Sequence, residues 1–350
     1  MNNETVQDLL EQIRRDTGGA FISGLAYIGD RLGIFAAIAQ HGPVDSAALA
    51  TATALNERYV REWLKALAAF GYIEYDDATE TYSMSEEQCA VLVDESSAVF
   101  GAGTFHFTVP SLLHTEELMV AFRKGGGIAY DELHPEIPSS IDRMHRAWFD
   151  HLLTDEWLPA IPGVTTSLDD GIRVLDVGCG LGRSTIAIAR AYPRSTVLGV
   201  DPHAPSVEFG RTLADEGGIN NAEFMAQPLQ HMDADLRFGL VIAIDCIHDM
   251  ADPVGVLRTI RERLTDDGLL VWSEPAGSVN PLENRDTLSR MRAALSPFHC
   301  LTVSLAAGGP GLGTLIGTEA AQELASEAGF ERFETLPVPC ETQLFLGLRR

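Results

Sequence analysis

The chain has 350 residues, enough for two domains and a sizeable core at about 150 residues per domain. Its 25 Lys+Arg stand against 50 Asp+Glu, a net charge of −25, which excludes nucleic acid or an anionic membrane as a main partner outside a local basic patch. With 45% hydrophobic and 21% charged residues, wholesale disorder is excluded as well.

The first 15 residues are polar and charged and lack the apolar stretch of a secretory signal. Residues 27–40 carry apolar side chains at helical spacing and stop at His41-Gly42-Pro43. Asp45 caps a short helix through Ala50, and Asn56 caps a stronger one. In that helix Val60, Trp63, Leu64, Leu67 and Ala68 share one face, and Gly71 takes the left-handed position that ends it. Residues 72–75 and 81–84 flank Asp76-Asp77-Ala78-Thr79-Glu80, the pattern of a β-hairpin. Three helices followed by a hairpin make a winged helix-turn-helix.

Residues 96–115 and 293–318 are uncharged, but glycines and Pro110 or Pro310 interrupt them, so neither reads as a membrane span. Gly125-Gly126-Gly127, ahead of Tyr130 and His134, forms either a loop that closes over a substrate or a plain linker. Pro159, Pro162 and Gly163 end the helical half. The expected domains are residues 1–95, a helical linker or lid over 96–165, and a second domain over 166–350.

The second half alternates strand and helix. Apolar runs at 172–177, 196–201, 223–226, 240–245 and 269–274 are separated by helical segments at 184–192, 205–216 and 253–264. That rhythm predicts a doubly wound α/β fold with a parallel sheet buried on both faces. Residues 330–338 and 343–348 follow with no helix between them and predict an antiparallel pair at the sheet edge.

The sharpest signal is Asp176-Val177-Gly178-Cys179-Gly180-Leu181-Gly182, where a strand runs into a glycine-rich turn and a helix opens at Ser184. Glycines there let backbone approach a ligand closely. Arg183 stands where the dinucleotide fingerprint needs a small residue, which counts against NAD or FAD. No Lys-Ser/Thr pair follows, so the loop is not the phosphate-cradling kind. Asp201, at the tip of the second strand, is placed to accept hydrogen bonds from ribose hydroxyls, and Asp176 carries charge suited to a cationic ligand.

These residues resemble class I S-adenosylmethionine-dependent methyltransferases. The resemblance implies a seven-stranded Rossmann-like domain with S-adenosylmethionine as cofactor. It implies cofactor binding by Asp176, Gly178, Gly180, Gly182, Asp201, Pro202 and Asp245. In the family an acid after the third strand meets the adenine amino group; Gln227 stands there, and its carbonyl can still accept.

His248, in Asp245-Cys246-Ile247-His248-Asp249-Met250, lies just after the fourth strand, at the carboxyl edge where open α/β sheets bind ligands. It is the candidate general base, the alternative being a structural histidine at the strand end. Glu274 reads more readily as a charge at the mouth of the sheet than as a group that tunes the site. The His-Asp pair resembles small-molecule O-methyltransferases acting on phenolic compounds. Those enzymes use an N-terminal winged-helix domain for dimerisation, which implies a homodimer here. The layout over residues 20–348 is also similar to a group of bacterial methyltransferases. The resemblance implies that residues 275–317 form an insertion over the acceptor pocket. Tyr130, His134, Asp249 and His299 are candidate acceptor contacts, although His299 reads first as a core histidine.

No metal site is expected, because neither His106/His114 nor His145/His151 places two ligands on one helical face. Cys89, Cys179, Cys246, Cys300 and Cys340 are scattered and odd in number, which fits a reducing, cytoplasmic setting better than disulfides. The leading expectation is methyl transfer to a small, largely apolar acceptor, without nucleic-acid or membrane partners. The alternatives are a winged-helix regulator with a cofactor-sensing domain, and an enzyme that uses the same cofactor for a rearrangement or cyclisation. An acidic wing argues against the regulator, since phosphate contacts supply most DNA affinity.

Overall fold

The computed structural model describes residues 3–336, 338 and 342–348; Pro337 and Cys340 lie outside these. The chain packs as two compact units, residues 1–110 with 143–147, and residues 111–142 with 148–350.

In the first unit, helices span Asn3–Arg31, Ile34–His41, Ser46–Thr53 and Glu57–Ala69, and strands β1 (Glu74–Asp76) and β2 (Thr81–Ser83) pair antiparallel. The helix expected over 27–40 is in fact two. Gly33 sits at φ 69°, which breaks the helical path between Arg31 and Ile34. The long first helix was missed, although Val6, Leu9, Leu10 and Ile13 stand at i, i+3, i+4 and i+7 over its amino-terminal half; Leu9, Leu10 and Ile13 are exposed. Asp45 and Asn56 accept the backbone N–H of Ala48 and Arg58, as their cap positions require. Phe35, Ile38, Leu49, Val60, Trp63, Leu64 and Leu67 form the core. The Trp63 indole donates to the Leu25 carbonyl at 2.7 Å. Gly29 is required beside it, since a Cβ there would stand 2.3 Å from the Trp63 ring.

The second unit is built on a seven-stranded sheet. Its strands are β3 (Arg173–Val177), β4 (Thr196–Asp201), β5 (Ala222–Ala226), β6 (Phe238–Ile244), β7 (Leu264–Pro275), β8 (Arg332–Leu336) and β9 (Thr342–Leu348). Their order is β5-β4-β3-β6-β7-β9-β8. β3 to β7 run parallel, β9 runs antiparallel to β7, and β8 antiparallel to β9. The expected edge pair is present. Alternate residues feed two cores. Leu175, Val177, Val241 and Trp272 face helices Pro253–Arg263 and Gly317–Glu327, while Val174, Leu240, Ile242 and Val271 pack with Leu153 and Trp157. Each fully buried side chain of this size contributes about 1.5–3 kcal/mol. The order reverses between β3 and β6, so the loops leaving those two strands open side by side.

No single helix among the described residues is long and apolar enough to cross a membrane.

Candidate active site

The loop after β3 is shaped by three glycines in left-handed conformation: Gly178 (φ 69°), Gly180 (φ 51°) and Gly182 (φ 80°). They differ in surroundings. A Cβ on Gly182 would stand 2.4 Å from the Phe224 ring, and one on Gly178 would stand 2.9 Å from Cys246. A Cβ on Gly180 would meet nothing within 4 Å, so the backbone there borders open space. Asp201, ending β4, accepts the Gly180 N–H at 3.0 Å and the His203 N–H at 2.8 Å. Burial pushes its carboxyl up. Pro202 follows it, and Gln227 follows β5 on the next strand over, its amide 3.8 Å from the Met225 sulfur.

Asp176 is engaged differently from the expectation. Its carboxylate is buried and accepts the Ser184 and Thr185 hydroxyls at 2.5 and 2.6 Å. Burial pushes its pKa up to about 6 against the pull of those two bonds. Asp176 therefore braces the first turn of helix Arg183–Ala191 and holds the glycine loop from below, rather than offering a free charge to a ligand. Arg183, unfavourable for a dinucleotide loop, instead clamps Asp142 through two hydrogen bonds of 2.7 and 2.6 Å. Nothing in local sequence pointed to that pair, whose members lie 41 residues apart.

Beside this loop, β6 ends in Asp245, held at φ 53° with its N–H donating to the Ser273 carbonyl at 2.9 Å. A non-glycine residue in that region stores strain, a common feature of functional sites. The turn Ile247–Asp249 then carries His248 under cover, with 1% of the side chain exposed. The His248 Nδ1 meets the Glu274 carboxylate at the end of β7. Glu274 is fully buried, and its other oxygen accepts the Trp272 indole N–H at 2.6 Å. Glu274 is thus no mere charge at the sheet mouth; it orients the histidine from the neighbouring strand. The His248 Nε2 lies 3.1 Å from the partly exposed Asp249 carboxylate. Burial disfavours the imidazolium, but Asp249 and Glu274 outweigh it and hold the His248 pKa well above its usual value. Burial pushes Glu274 up.

The remaining candidates separate. Tyr130 lies edge-on to both His203 (5.1 Å between centroids) and His299 (6.0 Å), and feels the charges of Asp201 and Asp249. Burial is the main reason its phenol pKa rises. It therefore stands between the ribose-type acid and the histidine cluster. His299 Nε2 lies 3.9 Å from Asp249, so it joins the site instead of the apolar core. His134 does not join: its N–H donates to the His114 ring at 2.8 Å, and its own Nδ1 accepts from the Glu136 N–H at 3.3 Å. Two members had no sequence signal. Cys300 opens helix Cys300–Ala306 and accepts the Thr314 hydroxyl at 3.0 Å. Thr302 accepts the Ile128 N–H at 2.8 Å and so ties the loop before Tyr130 to the same helix.

The left-handed glycines, the open space at Gly180 and the acid at the tip of β4 suit a nucleoside-bearing ligand. Comparison with known proteins points the same way. Residues 168–308 match the methyltransferase domain family, and residues 20–94 match the Rv2258c-like winged HTH domain. A mitomycin biosynthesis 6-O-methyltransferase of Streptomyces lavendulae is 26% identical over 77% of this chain and 76% of its own length. A ubiquinone biosynthesis O-methyltransferase of Azorhizobium caulinodans is 30% identical, but the match spans 29% of this chain and 40% of that protein. Among solved structures, the mitomycin 7-O-methyltransferase MmcR has the same fold (TM-score 0.73, 19% identity, all of both chains). So does human N-acetylserotonin methyltransferase, solved with S-adenosylmethionine (TM-score 0.72, 17% identity, 97% of each chain). This chain thus carries a methyltransferase domain over residues 168–308, behind a winged helix-turn-helix domain over residues 20–94.

Proposed function

We propose that this protein methylates an oxygen of a small, largely apolar acceptor, with His248 as the general base. The observation that carries this reading is the Glu274–His248–Asp249 chain beside the glycine loop, its first two members buried, at the carboxyl ends of adjacent strands β6 and β7. Gly178, Gly180, Gly182, Asp201, Pro202, Gln227 and Asp245 would hold S-adenosylmethionine, with Asp176 bracing the loop beneath it. When bound, the cofactor supplies an electrophilic methyl group on a sulfonium.

What remains is to place a nucleophile and remove its proton. Glu274 fixes His248 with Nδ1 protonated, so Nε2 is the nitrogen that takes the acceptor's proton. Because Asp249 and Glu274 hold the His248 pKa up, Nε2 must first give its own proton to solvent; the neutral imidazole then takes the acceptor's proton as a stronger base than a free histidine, and turnover rises with pH. Tyr130, Asp249 and His299 would orient the acceptor, and residues 275–317 with the loop before Tyr130 would shield it from water. The names of the mitomycin and ubiquinone biosynthesis O-methyltransferases support oxygen as the methylated atom. A coclaurine N-methyltransferase of Papaver somniferum also matches, so nitrogen is the alternative.

The winged-helix domain is read as a dimer contact, with a cytoplasmic setting. Of the three cations of the helix that would read DNA, two are paired with acids: Arg58 with Glu62 at 2.7 Å, and Arg61 with Glu57 at 2.6 Å. The test is transfer of labelled methyl groups to a panel of phenols, hydroquinones and aromatic amines. His248→Ala should lower turnover by about 10²–10⁴-fold with cofactor affinity intact. Equal turnover in the variant would remove His248 from the chemistry.

A further inference from the structure

We propose that His248, Asp249 and Cys300 also form a binding site for a thiophilic divalent cation of the zinc type. Each offers one ligand atom, and the three atoms lie within 4.8 Å of one another. Ligands around tetrahedral zinc stand about 3.3–3.8 Å apart, given bonds of about 2.0–2.3 Å, so closure needs only small side-chain shifts. The donor set is nitrogen, oxygen and sulfur, which selects zinc-type ions over magnesium or calcium.

The support around the cluster is of the kind metal sites use. A ligating histidine usually gives its second ring N–H to a carboxylate, which fixes the ring and raises its basicity. Glu274 does this at His248 Nδ1 and is itself held by Trp272. Cys300 is fixed too. Its helix is tied to the turn that carries His248 by the Ser304 hydroxyl, which donates to the Met250 carbonyl at 3.3 Å. The Asp249 side chain, 22% exposed, leaves a path for entry. These ligands come from two segments, with Asp249 and Cys300 51 residues apart, so histidine spacing along the chain could not reveal them.

Binding would release the Cys300 thiol proton, and the Nε2 proton of His248 where the imidazole is charged, to solvent as the sulfur–metal and nitrogen–metal bonds form. Three protein ligands leave a fourth position for water or an acceptor hydroxyl. The ion would occupy the nitrogen assigned above to proton removal, so zinc would inhibit methyl transfer and a chelator would restore it. That consequence rests on the reading of His248 as base; the binding itself does not.

Cobalt(II) is the direct probe. The full chain, stripped with chelator, should bind a single equivalent and develop a thiolate-to-cobalt charge-transfer band in the near ultraviolet, which zinc then abolishes. Cys300→Ser should lose the band, and Glu274→Gln should weaken binding about 10–100-fold. X-ray absorption at the zinc edge of the wild-type protein gives the ligand set without any variant, and should show one sulfur among lighter donors. Absence of the band, a band unchanged in Cys300→Ser, or a sulfur-free zinc shell would overturn the proposal. None of these readouts depends on methyl transfer, so failure of the functional reading would be seen separately.

Discussion

His248 and Glu274 meet across the carboxyl ends of neighbouring parallel strands, and both are withdrawn from solvent. A buried carboxylate of this kind fixes a histidine's tautomer and stabilises its charged form. Gln at position 274 keeps the size but removes the charge. Glu274→Gln should therefore lower kcat by about 10²–10⁴-fold, with cofactor affinity close to wild type. Single-turnover kinetics with calorimetry of cofactor binding would separate the two; a fall in affinity alone would make Glu274 a structural residue only.

The glycine loop yields a paired prediction. Ala at 182 meets both a left-handed backbone, roughly 1–2 kcal/mol, and the Phe224 ring, whereas Ala at 180 meets only the backbone strain. Gly182→Ala should lower the melting temperature more than Gly180→Ala. Gly180→Ala should weaken cofactor binding beyond what its stability loss explains, because its methyl group projects into open space. Equal melting temperatures would mean the loop does not rest on Phe224 as described.

Asp176 links protonation to stability. Its folded pKa is raised from 3.8 to about 6 by burial, so the native state binds its proton more tightly than the unfolded state does. That contribution is complete below pH 3.8 and fades as pH rises through about 6, a loss of about 3 kcal/mol. Asp176→Asn should abolish this part of the pH dependence, since Asn still accepts from Ser184 or Thr185. Unfolding free energies of the two proteins, compared from about pH 4 to pH 7, should shift in favour of the variant. Parallel curves would contradict it.

The loop ahead of Tyr130 depends on Thr302, whose hydroxyl accepts the buried Ile128 N–H. Thr302→Val leaves that donor unsatisfied and should cost about 1–3 kcal/mol. If Tyr130 orients the acceptor, KM for the acceptor should rise while cofactor affinity stays constant. Steady-state kinetics and thermal melting read both effects.

Legibility followed sequence distance. The glycine turn, Asp201 at the strand tip and the strand–helix rhythm depend on neighbours within one supersecondary unit, so their spacing exposes them. Helix Glu57–Ala69 was equally plain, because its cap and its apolar face are local. Glu274 was visible as a residue but not as a partner, since only strand order sets it beside His248. Cys300, Thr302 and the Arg183–Asp142 clamp depend on chain segments packed from far away, and no local pattern marks them. His134 shows the converse: position near a glycine loop suggested a site residue, and its own loop claims it.

Cofactor binding is the central claim, and calorimetric titration tests it most directly. The full chain should bind S-adenosylmethionine and S-adenosylhomocysteine with micromolar affinity, and NADH not at all. Asp201→Ala should lose the binding while His248→Ala keeps it. Absence of binding to both sulfur nucleosides, or binding undisturbed by Asp201→Ala, would contradict the account.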